Sequence, residues 1–237
     1  MKAIDLNADV GELDPELDAA IIEVVSSVSI ACGGHAGDDA TMERVATLAA
    51  QRKVRVGAHP SFIDRDNFGR THVDIAPDVL REQIREQIRR LAANSPVRIE
   101  YVKPHGALYH AAAVDEGVAR ALVAAADGLA LMGQPGALYL TIGQQAGMPI
   151  IHEAFADRAY SDDGRLVPRN HPGAVLQEEA ALEQVVSLTR GEVRTISGGL
   201  LTVRAQSVCV HSDTPGAAAL ARRIADHLAS EGITVTA

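Results

Sequence analysis

Short apolar runs alternate with longer helical patterns along the chain. Seven runs have the length and composition of buried strands, and they read AIDLNAD, VSIACGG, VRVGAH, IEYVKPHG, LALMG, PIIHEAF and SVCVHSD. Strands that alternate with helix-length segments are typical of βα units, in which the strands are parallel. The pattern therefore predicts an α/β fold with about seven parallel strands.

Helical periodicity is clearest between Pro77 and Asn94. Leu80, Ile84 and Ile88 recur there at helical spacing, and proline is favoured at the first position of a helix. Further helices are predicted near residues 38–52, 115–127, 136–146, 178–189 and 215–231. No linker, repeat or low-complexity tract divides the sequence, so we expect a single β/α barrel domain over residues 1–237.

The alternation within the first strand favours a closed barrel over an open sheet. In IDLNADVGE the polar residues Asp5, Asn7 and Asp9 share one face of the strand, and the residues between them are apolar. A parallel strand covered by helices on both faces would be apolar on both. Lys103 and His105 share a face in the same way. Polar side chains on one face indicate a barrel interior that carries chemistry at its C-terminal mouth.

Composition and charge indicate which kinds of molecule the protein can bind. The chain has 237 residues, 47% of them hydrophobic, and a formal net charge of -9. This balance argues against a nucleic-acid partner, which needs a concentrated basic surface. The start MKAIDLNADVGE resembles no signal peptide, and no apolar run has membrane length. With two cysteines only, we expect a cytoplasmic protein that acts on a small molecule, without a membrane.

Polar residues concentrate where the predicted strands end. Four of the nine histidines lie there, namely His35, His59, His105 and His211, and they are joined by Asp9, Lys103, Glu153, Asp157 and Arg158. Parallel strands bring their C-terminal ends to one side of the fold. The sequence therefore predicts that these side chains converge on one site.

Two kinds of chemistry fit this set. Asp9, His59 and His105 would suit a divalent transition metal with an open coordination position. The sequence has no HxH or HxxxH pair among them, and the cation Lys103 would lie nearby. The metal-free alternative uses a carboxylate and an imidazole as general acid and base while Lys103 or Arg158 stabilises negative charge. We assign no metal ligand from the sequence and leave metal binding open.

Other catalytic motifs find no support in the sequence. Cys32 and Cys209 each precede a histidine, but free cysteines are usually buried for packing. The sequence contains no GxSxG elbow for a nucleophilic serine. The segment GGHAGDD lacks the GxxxxGK[ST] spacing of a phosphate loop.

The strand ends lie within longer motifs that resemble a known family. DLNADVGE, SIACGGHAGD, GAHPSFIDRDNFGR, VKPHGALYH, FADRAYSDDGRLVPR and VCVHSDTP occur in the order found in the LamB/YcsF family. The resemblance runs from Asp5 to the C-terminal helix. It implies a distorted TIM-like (β/α) barrel of the glycoside hydrolase/deacetylase superfold. It also implies ATP-dependent hydrolytic opening of 5-oxo-L-proline to L-glutamate, together with subunits B and C.

The resemblance and the strand-end pattern together give ten predicted site residues. We predict catalytic roles for Asp9, His59, Lys103, His105 and Asp157. We predict substrate-binding roles for Asp5, Asn7, His35, Arg158 and His211. ATP with Mg²⁺ is expected to bind at least partly to the partner subunits, because this sequence has no nucleotide motif of its own.

Two alternative functions stay open at this point. The deacetylase-like superfold is compatible with a metal-dependent amidase or carbohydrate deacetylase. The chain is also compatible with a non-catalytic scaffold subunit whose partners perform the chemistry.

Overall fold

The computed structural model describes residues 2–213 and 216–237. These residues contain ten strands and eight helices. The strands are β1 (Lys2–Val10), β2 (Ser27–Ala31), β3 (Arg55–His59), β4 (Tyr101–Val102), β5 (Ala130–Gly133), β6 (Ile150–Phe155), β7 (Glu192–Arg194), β8 (Leu200–Thr202), β9 (Ser207–Val210) and β10 (Ile233–Val235). The helices are α1 (Pro15–Ile22), α2 (Asp39–Arg52), α3 (Pro77–Ala93), α4 (Gly106–Ala112), α5 (Glu116–Ala126), α6 (Leu138–Gln145), α7 (Glu178–Thr189) and α8 (Ala217–Ser230).

Seven parallel strands close into a barrel. β1 to β6 follow one another in chain order, and β9 pairs with both β6 and β1. Asp5 of β1 lies opposite Ser207 of β9, so the first and last barrel strands complete the closure. β10 adds to the beginning of β1, where Lys2 lies opposite Ile233. The barrel confirms the fold class predicted from the sequence.

The two faces of the barrel strands differ in polarity, as the alternation predicted. Leu6 and Ala8 of β1 point outward and belong to the large apolar core between barrel and helices. Each such fully buried aliphatic side chain stabilises the fold by about 1.5–3 kcal/mol. Many side chains inside the barrel are polar, and Asn7 donates to the hydroxyl of Ser207 at 2.7 Å. The chemistry is therefore carried by the inner face.

The seven predicted strand runs all coincide with barrel strands, and the six predicted helices are present. Residue 215, at the start of the last predicted helix, lies outside the described residues. The sequence patterns missed α1, β7, β8 and β10. In residues 2–213 and 216–237 every helix is too short or too polar to span a bilayer.

Two long loops cover the C-terminal ends of the strands, here called the mouth of the barrel. The first, residues 60–76, reaches the beginning of α4, where the N–H of Ala107 donates to the carbonyl of Gly69 at 2.9 Å. Gly106 has a φ of +56°, and a Cβ there would lie 2.5 Å from the Gly69 oxygen. Glycine at this position therefore lets the loop close on His105. The second loop, residues 156–177, follows β6 and carries Asp157 and Arg158.

Candidate active site

A charged cavity opens at the mouth of the barrel. Its volume is about 80 Å³, which is room for roughly two or three water molecules at about 30 Å³ each. The ionisable residues that line it are Asp9, Glu12, His59, Arg70, Lys103, His105, Tyr109, His110, Arg158, Arg169, His211 and Asp213. Its size and charge suit a small polar molecule.

The structure brings most of the predicted site residues to this cavity. Asp9, His59, Lys103, His105, Arg158 and His211 line it. The other four predicted residues, Asp5, Asn7, His35 and Asp157, are not part of its lining. All four are buried, and Asn7, His35 and Asp157 each contact a residue that lines the cavity.

Lys103 is held by carboxylates of the chain itself. Its Nζ lies 3.0 Å from Asp9 Oδ1 and 3.0 Å from Glu153 Oε2, and it donates to Asn7 Oδ1 at 3.1 Å. Burial disfavours the ammonium, but Asp9 and Glu153 hold the pKa of Lys103 well above its usual value. Burial alone would raise the pKa of Asp9, whereas His59 and Lys103 lower it well below its usual value. Lys103 and Asp9 are therefore both charged.

Asp157 orients His211. Its two carboxylate oxygens lie 3.0 and 3.1 Å from Nδ1 of His211. Burial would raise the pKa of Asp157, but His211 lowers it below its usual value. The carboxylate accepts from Nδ1, which leaves Nε2 as the proton-accepting nitrogen of a neutral ring. The ring stacks on Phe155 with centroids 5.1 Å apart, so its plane is fixed.

A second group consists of Glu12 and three histidines from the ends of different strands. Glu12 Oε1 lies 3.0 Å from His35 Nε2, 3.3 Å from His105 Nδ1 and 3.7 Å from His59 Nε2. One ligand atom from each of the four residues fits within 4.8 Å of the others, so they could hold a metal ion. The sequence had suggested Asp9 as the carboxylate of a possible metal site. In the structure the carboxylate grouped with the three histidines is that of Glu12, and Asp9 Oδ2 lies 3.5 Å from His59 Nε2. Burial would raise the pKa of Glu12, but the neighbouring His105 and His35 lower it below its usual value.

Arg158 is a buried cation that lacks a carboxylate partner. It donates from Nη2 to the carbonyl of Val167 at 2.6 Å and from Nε to that of Ala174 at 3.3 Å. No carboxylate of the described residues lies within 4.0 Å of its guanidinium nitrogens. Burial and the neighbouring Arg169 lower the pKa of Arg158. Arg169 itself pairs with Asp213 at 3.0 Å, so Arg158 is the better candidate for binding an anion.

Asp5 and Asn7 lie deeper in the barrel than the cavity. The Asp5 carboxylate accepts hydrogen bonds from the hydroxyls of Ser26 and Ser27 at 2.7 and 2.8 Å and from Arg55 at 3.3 Å. These contacts tie β1 to its neighbours. The substrate-binding role predicted for Asp5 stays a prediction without a supporting contact, and the geometry favours a structural role.

The two cysteines are buried, as expected for packing residues. Burial raises the pKa of the Cys32 thiol to about 12. Burial also raises the pKa of Cys209 well above its usual value, although Lys103 lies 3.1 Å from its sulfur. Neither thiol has the thiolate character of a nucleophile.

The sequence of the chain matches one known family over nearly its full length. The match to the LamB/YcsF family spans residues 4–237. The chain belongs to the LamB/YcsF family. A LamB/YcsF relative from Streptomyces avermitilis, which is named as the A subunit of 5-oxoprolinase, is 46% identical over 247 residues, which cover 99% of each chain.

Solved structures agree with the LamB/YcsF assignment. The lactam utilization protein from Thermus thermophilus superimposes with a TM-score of 0.92 at 36% identity, and the match covers 100% of both chains. A family 4 carbohydrate esterase from Streptomyces lividans reaches a TM-score of 0.53 at 11% identity, covering 99% of this chain and 91% of that chain. The second likeness shows a shared fold alone.

Sequence reasoning missed several residues of the site. Glu12 follows β1 by two positions, and its place after a strand end was a signal that was not used. Arg70 and Arg169 come from the two long loops, which have no periodicity to place them. Glu153 was expected at the mouth but was left out of the predicted site, and it proves to be one of the two carboxylates that hold Lys103.

Proposed function

We propose that this chain is the A subunit of an ATP-dependent 5-oxoprolinase, a hydrolase that opens the cyclic amide of 5-oxo-L-proline to give L-glutamate. The observation that carries the proposal is the 46% identity over the full chain to a relative named as a 5-oxoprolinase component. The likeness to a lactam utilization protein supports it. The small charged cavity at the mouth suits a small anionic substrate.

Arg158 is the proposed partner of the substrate carboxylate. Arg158 lines the cavity and is 4% exposed, and no carboxylate of the described residues lies within 4.0 Å of its guanidinium. Lys103 is less suited to this role, because Asp9 and Glu153 already neutralise its charge. A planar guanidinium also binds a carboxylate with two parallel hydrogen bonds.

His211 is the proposed general base or acid at the lactam. Asp157 fixes the ring through Nδ1 at 3.0 Å, so Nε2 is free to take a proton from water or return one to the ring nitrogen. Asp9 is ionised beside Lys103 and is placed to orient the attacking water. The amide is resonance-stabilised, and phosphorylation of its carbonyl oxygen by ATP, with ADP released, would activate the carbonyl carbon toward water. The ring nitrogen would then leave with a proton, and hydrolysis of the acyl phosphate so formed would give glutamate and phosphate.

Partner subunits B and C are proposed to supply at least part of the ATP and Mg²⁺ site. The sequence has no GxxxxGK[ST] phosphate loop. The relatives are named as one lettered component of an enzyme, which also implies a complex of several chains.

The proposal is tested by measuring glutamate released from 5-oxo-L-proline with and without ATP. The chain is assayed alone and then with candidate partner subunits. We expect ATP-dependent release in the complex. His211→Gln should lower kcat by about 10²–10⁴-fold, the range for loss of a general acid or base. Arg158→Met should lower kcat/KM by about 10–100-fold, from the loss of about 1.5–3 kcal/mol of charge-assisted hydrogen bonding.

Arg120→Met on the outer face of α5 is the matched control, and it should leave turnover unchanged. Assembly of each variant complex is checked by size-exclusion chromatography. Unchanged turnover of an intact His211→Gln complex would contradict the catalytic role and favour a scaffold subunit.

A further inference from the structure

The proton positions of two histidines at the mouth are fixed by backbone carbonyls. His59 Nδ1 lies 2.7 Å from the carbonyl of Lys103, and His105 Nε2 lies 3.0 Å from the carbonyl of Phe68. A carbonyl oxygen accepts but never donates, so each of these nitrogens carries a hydrogen. In the neutral rings the lone pairs are therefore on His59 Nε2 and His105 Nδ1.

These two lone pairs face one another. His59 Nε2 and His105 Nδ1 are 3.0 Å apart, with ring planes at 85°. Two lone pairs at this distance repel unless a proton or a metal ion lies between them. Glu12 adds a carboxylate oxygen to the same point, 3.3 Å from His105 Nδ1 and 3.7 Å from His59 Nε2. Its side chain is 4% exposed, so water does little to screen it.

The triangle formed by these three atoms has the dimensions of one face of a metal site. Its edges are 3.0, 3.3 and 3.7 Å. Three ligand atoms at about 2.0–2.1 Å from a tetrahedral zinc ion are about 3.3–3.4 Å from one another. An ion therefore fits with little movement of the side chains.

His35 is excluded from the same ligand set by its stacking on His105. The two ring centroids are 3.7 Å apart and their planes differ by 4°. An ion in the plane of one ring lies well outside the plane of the other, so both cannot direct a lone pair at it. His35 Nε2 lies 3.0 Å from Glu12 Oε1 instead, where its N–H orients the carboxylate. Such outer contacts tune metal sites without ligating the ion.

We propose that Glu12, His59 Nε2 and His105 Nδ1 bind one divalent transition-metal ion of the zinc type. Two imidazoles and one carboxylate, with a fourth position left open, are the ligand pattern of catalytic zinc sites. Nitrogen ligands select such an ion over Mg²⁺, which prefers oxygen. All three side chains line the cavity, so the open position faces it. When bound, the ion would take an amide or phosphoryl oxygen, or a water molecule, as its fourth ligand.

The test uses the full chain, stripped with a chelator and then given Co²⁺ or Zn²⁺ without substrate. Wild-type protein should bind one equivalent by inductively coupled plasma mass spectrometry. The Co²⁺ form should show the intense visible absorption of a tetrahedral site, and an excess of Mg²⁺ should leave that spectrum in place. A wild-type chain that binds no stoichiometric ion, or binds Co²⁺ with an octahedral spectrum, overturns the proposal.

Variants separate ligands from their supports. Glu12→Gln and His105→Ala should each weaken binding by more than ~100-fold, beyond the range of about 10–100-fold expected for an outer contact such as His35→Ala. His110→Ala is the matched control, since it removes a cavity histidine outside the cluster, and it should keep the ion and its spectrum. Circular dichroism establishes that each variant is folded. Retention of the ion by Glu12→Gln and His105→Ala, or its loss in His110→Ala, contradicts the ligand set.

The binding test is independent of the proposed lactam chemistry. The metal site fails if no ion binds, whether or not glutamate is released with ATP. The proposed function fails if no glutamate is released, whether or not the ion is bound.

Discussion

Lys103 is a buried ammonium whose two carboxylate partners come from other strands. Asp9 belongs to β1 and Glu153 to β6, each 3.0 Å from Nζ. Removal of one member of a buried ion group leaves the others without compensation, at a cost of about 3–5 kcal/mol. Lys103→Met should therefore lower the free energy of unfolding by about that amount, measured by urea denaturation.

An exposed ion pair gives the contrasting control for Lys103. Arg120 pairs with Glu116 one turn earlier on α5, and both side chains are about two-thirds exposed. Arg120→Met should change the free energy of unfolding by less than about 1 kcal/mol. Equal effects of the two substitutions would show that the carboxylates beside Lys103 find another partner.

The lowered pKa of Asp157 makes the free energy of unfolding depend on pH under acidic conditions. Its folded-state pKa lies below its usual value, because His211 more than offsets burial. The unfolded chain, with an aspartate pKa of about 3.9, therefore takes up the proton first. The stabilisation is full above that value and is lost as the pH falls through the folded-state pKa.

Asp157→Asn should consequently lower the free energy of unfolding near neutral pH and flatten its decline below about pH 4. Urea denaturation at several pH values between about pH 7 and about pH 3 measures both effects. Asp66→Asn, at an exposed position, should follow the wild-type curve. A decline in Asp157→Asn as steep as in the wild type would contradict this account.

Individual residues of the site were predictable to different degrees. Residues that end a barrel strand, such as His59 and His211, were found because strand ends converge at the mouth. The residues that contact these histidines were harder to assign. They come from other strands and loops across the barrel interior, and sequence spacing does not show which ones meet. The choice between Asp9 and Glu12 as the neighbour of His105 depends on the turn after β1, which periodicity does not describe.

Elements were predicted well where they are long and amphipathic. α3 has 17 residues with a clear apolar stripe, and it begins at Pro77 as expected. The missed elements are short: α1 has 8 residues, and β7, β8 and β10 have 3 each. Such segments are held by tertiary contacts and carry little periodic signal of their own.

Packing between neighbouring strands depends on one small residue in β3. Gly57 lies opposite Tyr101 of β4, and a Cβ on Gly57 would lie 2.2 Å from the tyrosine ring. Gly57→Ala should therefore destabilise the chain by about 1–3 kcal/mol through overpacking, measured by urea denaturation.

Tyr101→Leu gives the partner substitution for Gly57→Ala, because it removes the ring. The double variant should be more stable than the sum of the two single effects predicts, by at least about 0.5 kcal/mol. Strict additivity would show that the ring does not meet the new methyl group.

On the scale of the whole molecule, the barrel was predictable because its interior is polar. The alternation of Asp5, Asn7 and Asp9 with apolar residues requires two different environments on the two faces of β1. An open parallel sheet offers only apolar ones. The pairing of β10 with the start of β1 was not predictable, because three residues at the end of a chain have no pattern that selects a partner.

Because β9 pairs with β1 and is synthesised late, one edge of β1 stays unpaired during most of the synthesis of the chain. Asp5 and Ser207 are 202 positions apart, and at about 5–20 residues per second the ribosome needs roughly 10–40 s to travel between them. Throughout that interval one edge of the first strand has no neighbour, and uncovered edges recruit strands from other chains. A holding chaperone should therefore raise the yield of soluble protein by protecting an unfinished sheet, without any change in the finished fold.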